Sequence, residues 1–177
     1  FHMGPPGSRW CADTTTVAPG ASGEKCPGSR FAGVADSGHP VWPDPTVEIL
    51  SRGQAEIDRA LAMLAEQGHA PARGRALDFG CGVGRLTQAL ATHFERVDGV
   101  DISASMVEHA RNFNRHGERC AYHVNTVPDL ARFGDGTFDF VYSNITLQHI
   151  PPDASERYIG EFMRVLRPGG VALFQVP

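Results

Sequence analysis

The stretch Ala76-Leu77-Asp78-Phe79-Gly80-Cys81-Gly82-Val83-Gly84-Arg85-Leu86 passes from a strand into a helix through three glycines. Arg75 to Phe79 is a short apolar run, and a helical pattern begins near Gly84. Glycine allows positive φ and lets backbone approach a ligand with no Cβ in the way. The helix that follows turns unpaired N–H groups toward the same place. The spacing is Gly80-x-Gly82-x-Gly84, with Asp78 two positions ahead. A glycine turn that cradles a pyrophosphate is poorly served by an acid at the strand end. That disfavours an NAD(P)-dependent oxidoreductase. An acid there suits a ligand that carries an ammonium group. The plainer alternative is a tight strand–helix turn with no ligand.

A second element weighs against that alternative. Val100-Asp101-Ile102-Ser103 ends the next strand and opens the next helix. In open α/β sheets, ligands bind at the carboxyl ends of the strands, where an acid can accept two ribose hydroxyls. Asp101 is the ribose candidate, with a plain helix-start acid as its other reading. Asp98 lies within the strand and is the weaker candidate.

Outward from these two motifs, strands alternate with helices. Val47, Ile49, Leu50, Ile57, Ala60, Leu61 and Leu64 recur at helical spacing, predicting a helix over 46–67 that either runs through Gly53 or breaks there. Helices are expected at Leu86–Phe94, at Ser103–Asn114 with Ser103 as N-cap, and at Ala154–Leu166. Strands are expected at Val97–Val100, Cys120–Val124, Phe138–Ser143 and Val171–Val176, the last after a turn at Pro168-Gly169-Gly170. This order indicates an α/β fold with a doubly wound, mostly parallel sheet. Residues 1–45 differ in texture. They are rich in Gly, Pro, Ser, Ala and Thr without a hydrophobic period, so they are expected to be irregular or disordered. Met3 stands third behind Phe1-His2, which suggests expression-derived residues or a fragment boundary.

Composition bounds the remaining choices. The 177 residues fit one domain, and 41% hydrophobic residues allow a real core. The formal charge is −4, and the arginines are scattered, which gives no nucleic-acid footprint. No apolar run reaches the ~20 residues of a membrane span, and no signal peptide is visible. A cytoplasmic location is expected. No CxxC pair occurs among Cys11, Cys26, Cys81 and Cys120, so no metal site is expected. Cys81 and Cys120 read as small core hydrophobes. Cys11 and Cys26 can pair with each other, but in the cytoplasm they would stay reduced.

The segments LDFGCGVGRLT, VDGVDIS, FDFVYSNITLQHIP and EFMRVLRPGGVALF resemble the successive motifs of class I S-adenosylmethionine-dependent methyltransferases. They are most similar to the small-molecule, ubiquinone/menaquinone-biosynthesis-like branch (methyltransferase type 11). The resemblance runs in order from about Arg75 to the C-terminus. It implies a Rossmann-like methyltransferase fold and transfer of a methyl group to a small-molecule acceptor. S-adenosylmethionine would be the cofactor and S-adenosylhomocysteine the product. By position, Gly80, Cys81, Gly82 and Gly84 form the cofactor turn, and Asp78 would reach the ammonium directly or through water. Asp101 would take the ribose hydroxyls, and Ile102 would pack on the adenine. The family often has an acid at the end of the third strand. Here adenine recognition would fall to Asn125, Thr126 or backbone. Ser143 and Asn144 would lie beside the methyl group. Cys81, held between turn glycines, reads as a small residue that fits there and not as a nucleophile. His149 is the catalytic candidate: it would orient substrate or take a proton, or else only cap the segment before Pro151. His109, His116 and His123 have no partner pattern.

Resembled proteins continue beyond the fifth strand with a strand hairpin that completes the sheet, whereas this sequence stops at Pro177. The expectation is a shortened domain with an exposed fifth strand, Val171 to Val176, which invites homo-oligomer formation. Pairing of that edge with residues 1–45 is the other outcome considered. A shortened domain also leaves open a module that binds the cofactor or its product without turnover.

Overall fold

The computed structural model describes residues 9–12 and 45–176. The elements run β1 (Arg9–Ala12), α1 (Pro45–Glu66), β2 (Arg75–Phe79), α2 (Arg85–Leu90), β3 (Arg96–Asp101), α3 (Ala104–Phe113), β4 (Cys120–Val124), β5 (Phe138–Ser143), α4 (Pro152–Val165) and β6 (Leu166–Phe174). Successive strand residues point to opposite faces of the sheet. Ala76, Val97, Phe140, Val171 and Leu173 pack with Ile57, Leu61 and Leu64 of α1, Leu90 of α2 and Val107 of α3. Their neighbours Leu77, Val100, Val141 and Ala172 pack with Tyr158, Phe162 and Val165 of α4. The strands are therefore apolar on both faces, as a parallel sheet between two helix layers requires.

The strand order is β1-β6-β5-β2-β3-β4, and every adjacent pair is parallel. The chain leaves β2 toward β3 and leaves β5 toward β6, in opposite directions. The strand order thus reverses between β2 and β5, the crevice in which open α/β sheets bind ligands. The glycine turn after β2 and the segment 144–151 after β5 both open there.

Three expectations are corrected and one open alternative is decided. First, the edge of β6 is not left unpaired: Arg9–Ala12 aligns along Val171–Phe174 in parallel register. That removes the exposed edge on which self-association was expected and makes four residues of the 1–45 segment part of the sheet. The remainder of that segment, with Cys26, lies outside the described residues, as does Pro177. Second, of the two outcomes at Gly53, α1 runs through without a break. A Cβ there would stand 2.8 Å from Cγ of Arg85 and 2.9 Å from its carbonyl oxygen, so the glycine lets α1 close onto the start of α2. Third, α2 ends at Leu90 and not at Phe94. Thr92 Oγ1 donates to the Ala89 carbonyl at 2.8 Å, an interaction that competes with the helix ladder. Phe94 then stacks on Phe140 at 5.5 Å between centroids. Fourth, β6 begins at Leu166, with Phe138 opposite Leu166 and Phe140 opposite Val171. Pro168-Gly169-Gly170 is a bulge within the strand, which ends at Phe174. Among the described residues no helix is long and apolar enough to cross a membrane.

Candidate functional site

β2 delivers the glycine turn beneath which Asp78 is buried at 1% exposure. Thr87 Oγ1 donates to its Oδ2 at 2.6 Å. Burial pushes the Asp78 carboxyl up to about 7, against the opposing pull of the Thr87 hydrogen bond and the Arg85 guanidinium. Above it the chain turns through Gly80, Gly82 and Gly84 at φ of 82°, 51° and 80°. The three glycines answer different needs. A Cβ at Gly80 would collide with the Thr146 side chain, and one at Gly84 would stand 2.7 Å from the Tyr122 hydroxyl. At Gly82 a Cβ would meet nothing within 4 Å. Gly82 thus presents bare backbone to open space. Cys81 is buried, burial pushes its thiol well up, and the inert reading holds.

β3 delivers Asp101. Its Oδ2 accepts from the Gly82 N–H at 2.8 Å and its Oδ1 from the Ser103 N–H at 2.8 Å. One carboxylate therefore ties the glycine turn to the start of α3, whose N-cap is Ser103 as expected. Each oxygen keeps a further lone pair for a ligand.

These turns border a cavity of about 490 Å³ over the ends of β2, β3 and β4. Gly80, Asp101, Ile102, Asn125, Thr126 and His149 all line it. Ile102, Val127 and Ile145 are exposed apolar side chains on its wall. Asn125 is already committed: its Nδ2 donates to the Val127 and Asp129 carbonyls at 3.0 and 2.9 Å. It shapes the loop, leaving Thr126 and backbone to meet a ligand. His149 stands exposed on a short 3₁₀ turn, Leu147–His149. Three further lining residues escaped the sequence reading. Tyr158 of α4 donates to the Val127 carbonyl at 2.8 Å, and Thr146 donates to the Phe79 carbonyl at 3.3 Å. Ile145 has φ 59°, a left-handed conformation that is unusual for a β-branched residue.

Ser143 and Asn144 line a different cavity, of about 260 Å³, beside the ends of β5 and β6 and under α1. Glu56 of α1 organises its floor. Its Oε1 accepts from Tyr142 Oη at 2.9 Å and Asn144 Nδ2 at 2.6 Å, and its Oε2 pairs with Arg85 at 2.7 Å. Desolvation pushes the Glu56 carboxyl up, but the bonds from Arg85, Asn144 and Tyr142 together outweigh it and hold the group below its usual range. Glu56 looked like one more charge on a helix. Only the tertiary contacts show its place.

A profile of the methyltransferase domain family matches residues 76–170, from β2 into β6. The chain belongs to the methyltransferase domain family. This methyltransferase domain is 33% identical over 135 residues to the ubiquinone biosynthesis O-methyltransferase of Methylococcus capsulatus, covering 75% of this chain and 55% of that protein. With the protein of the same name from Xanthomonas axonopodis pv. citri it shares 35% identity over 101 residues, 56% of this chain and 41% of that one. The chain spans about half the length of the relatives it matches. Among solved structures, an S-adenosylmethionine-dependent methyltransferase from Clostridium acetobutylicum is similar, with a TM-score of 0.58 and 25% identity over 66% of this chain and 47% of that one. The methyltransferase fold expected from the sequence is therefore the fold observed.

Proposed function

We propose that the domain binds S-adenosylmethionine in the larger cavity and transfers its methyl group to a small-molecule acceptor. The observation that carries this reading is the open backbone of Gly82 beside the Asp101 carboxylate, at the reversal of strand order. The residues fit the cofactor. Asp101 retains lone pairs for two ribose hydroxyls. Ile102 and Val127 offer an apolar wall for the adenine. The Gly80–Gly84 turn lets the methionine part approach backbone directly. Asp78 lies under the turn and would act on the ammonium through the turn or through water. Held by Asp101, Ile102 and the Gly80–Gly84 turn, S-adenosylmethionine would supply an electrophilic methyl group on sulfonium sulfur.

The chain's own contribution is to bind and orient, which is what such chemistry asks of a protein. Ser143 and Asn144, at the end of β5, line the smaller cavity, and β5 lies beside β2, the strand that leads into the turn. His149 lines the larger cavity and would orient what is held there. A cytoplasmic location goes with this reading, as does the absence of nucleic-acid and membrane partners. The homologues named for ubiquinone biosynthesis support an oxygen atom as the attacked site. The test is isothermal titration with S-adenosylmethionine and S-adenosylhomocysteine. Micromolar binding of both, lost or weakened in Asp101→Ala, is the expected result; binding of neither would overturn the reading.

A further inference from the structure

Three carboxyl groups are buried among the described residues: Asp78, Asp98 and Asp139. Two of them have cationic partners. Asp98 pairs with Arg75 at 2.7 Å and with His123 at 2.8 Å, and Asp139 pairs with Arg167 at 2.8 Å. Asp78 has no ion-pair partner among the described residues, and its side chain is met by the Thr87 hydroxyl. A carboxylate buried without a counter-charge is costly, and such a group takes up a proton instead.

The surroundings of Asp78 supply no net charge. Arg85 of α2 acts on it, but Arg85 is bonded to Glu56 of α1, whose charge acts in the opposite sense. Cys81 in the turn, Cys120 and Tyr122 of β4 and Tyr142 of β5 face it too, and burial holds each of these groups neutral. From β3, Gly99 lies opposite Asp78 and brings no side chain. Yet Asp78 leads into the glycine turn, at the crevice where the strand order reverses. There a ligand can bring the counter-charge that the chain itself withholds.

Resting on the reading of the larger cavity as a site for S-adenosylmethionine, we propose that Asp78 carries a proton before the cofactor binds and releases it to solvent when the ammonium group of the cofactor or its product arrives. One positive charge replaces another: the O–H bond of Asp78 breaks, its electron pair stays on the carboxylate, and the proton passes to the buffer. The free domain's Asp78 is pushed by burial up to about 7, which puts the exchange within reach of ordinary solution conditions. An opposite charge nearby lowers a carboxyl pKa, so binding and ionisation favour each other. Affinity is therefore full above pH 7 and declines as the pH falls.

The test is calorimetric titration with S-adenosylhomocysteine at pH 6.5 in phosphate and in imidazole. The two buffers differ in ionisation enthalpy, so the difference in binding enthalpy counts the protons released. The comparison ligand is 5′-methylthioadenosine, which keeps the adenosine and the thioether sulfur and lacks the amino-acid part. S-adenosylhomocysteine should release about three-quarters of a proton, the share of a carboxyl titrating near 7 that is still protonated at that pH. Release with 5′-methylthioadenosine should be near zero. Between pH 7.5 and 5.5 the affinity for S-adenosylhomocysteine should fall roughly tenfold or more, and that for 5′-methylthioadenosine should stay level. Asp78→Asn, which keeps an acceptor for Thr87, should bind S-adenosylhomocysteine without proton release and with level affinity over the same range. Equal release by both ligands would trace the proton to His149 or another group beside the nucleoside, and it overturns the inference. So does release that persists in Asp78→Asn, or none from the wild type with S-adenosylhomocysteine. If Asp78→Asn does not fold, the two ligands on the wild-type chain still decide. Failure of S-adenosylhomocysteine to bind at all brings down the methyltransferase reading and this inference with it; binding without proton release brings down the inference alone.

Discussion

Asp101 carries structure and, in the proposed function, the ligand as well. Its two hydrogen bonds to the Gly82 and Ser103 N–H groups hold the turn and the helix start in register. Asp101→Ala should weaken S-adenosylmethionine binding by about 1–3 kcal/mol in calorimetry, the cost of removing a charged hydrogen-bond partner. Among the described residues, Ile145 is the non-glycine residue held at positive φ. Asn tolerates the left-handed region better than a β-branched side chain, and Ile145 is exposed, so little burial is lost. Ile145→Asn should therefore raise the unfolding free energy by about 1 kcal/mol in urea while removing apolar wall from the larger cavity. Asp78 couples the turn to pH. An acid whose folded pKa lies above its unfolded value stabilises the fold fully only below that unfolded value. From 3.8 toward about 7, rising pH therefore removes stability contributed by Asp78. Asp78→Asn, which keeps an acceptor for Thr87, should be more stable than the wild type at pH 8 and close to it at pH 4. Thermal melts at the two values would check this; equal melting shifts at both would contradict it.

At the scale of elements, the glycine turn separates conformational need from spatial need. Gly82 and Gly84 both have positive φ, so alanine at either strains the backbone by about 1–2 kcal/mol. Gly84→Ala adds a collision with the Tyr122 ring and should cost clearly more than Gly82→Ala in denaturant unfolding. Gly82→Ala should fold yet bind S-adenosylhomocysteine poorly, since its methyl group fills the space left open for ligand. The reverse ranking for binding would show that the ligand does not approach Gly82. The turn is recognisable in sequence because φ and approach both demand glycine. The α1 contribution is not, because Glu56 meets Arg85, Tyr142 and Asn144 only when distant segments converge.

At the scale of the whole molecule, the six-stranded sheet places two cavities on either side of one strand-order reversal. The larger is bordered by both sequence motifs that suggested a ligand. The smaller depends on α1 lying across the ends of β5 and β6. The backbone of β6 is covered by Arg9–Ala12, which becomes the outermost strand on that side. Removing residues 1–12 would uncover the backbone of β6, a long apolar edge of the kind that pairs with other chains. The shortened chain should self-associate in sedimentation at concentrations where the full chain does not. Identical profiles would show that β1 does not guard the edge.

Sequence alone determined the alternation of strands and helices, the glycine turn and the place of Asp101 at the end of the next strand. Each of those rests on local chemistry: strand period, helix capping, positive φ and an acid at a strand end. It also placed Gly80, Ile102, Asn125, Thr126 and His149 in motifs that converge on one cavity. It could not place Ser143 and Asn144 in a second cavity, nor bring Glu56 to them, nor seat residues 9–12 beside β6. Those contacts join segments far apart in the chain, and a parallel strand pair or a helix lying over strand ends leaves no short-range pattern. The local signals were legible because each residue's requirement is met by its neighbours in the chain; the rest was decided by packing, where the partner is chosen only when the sheet has formed.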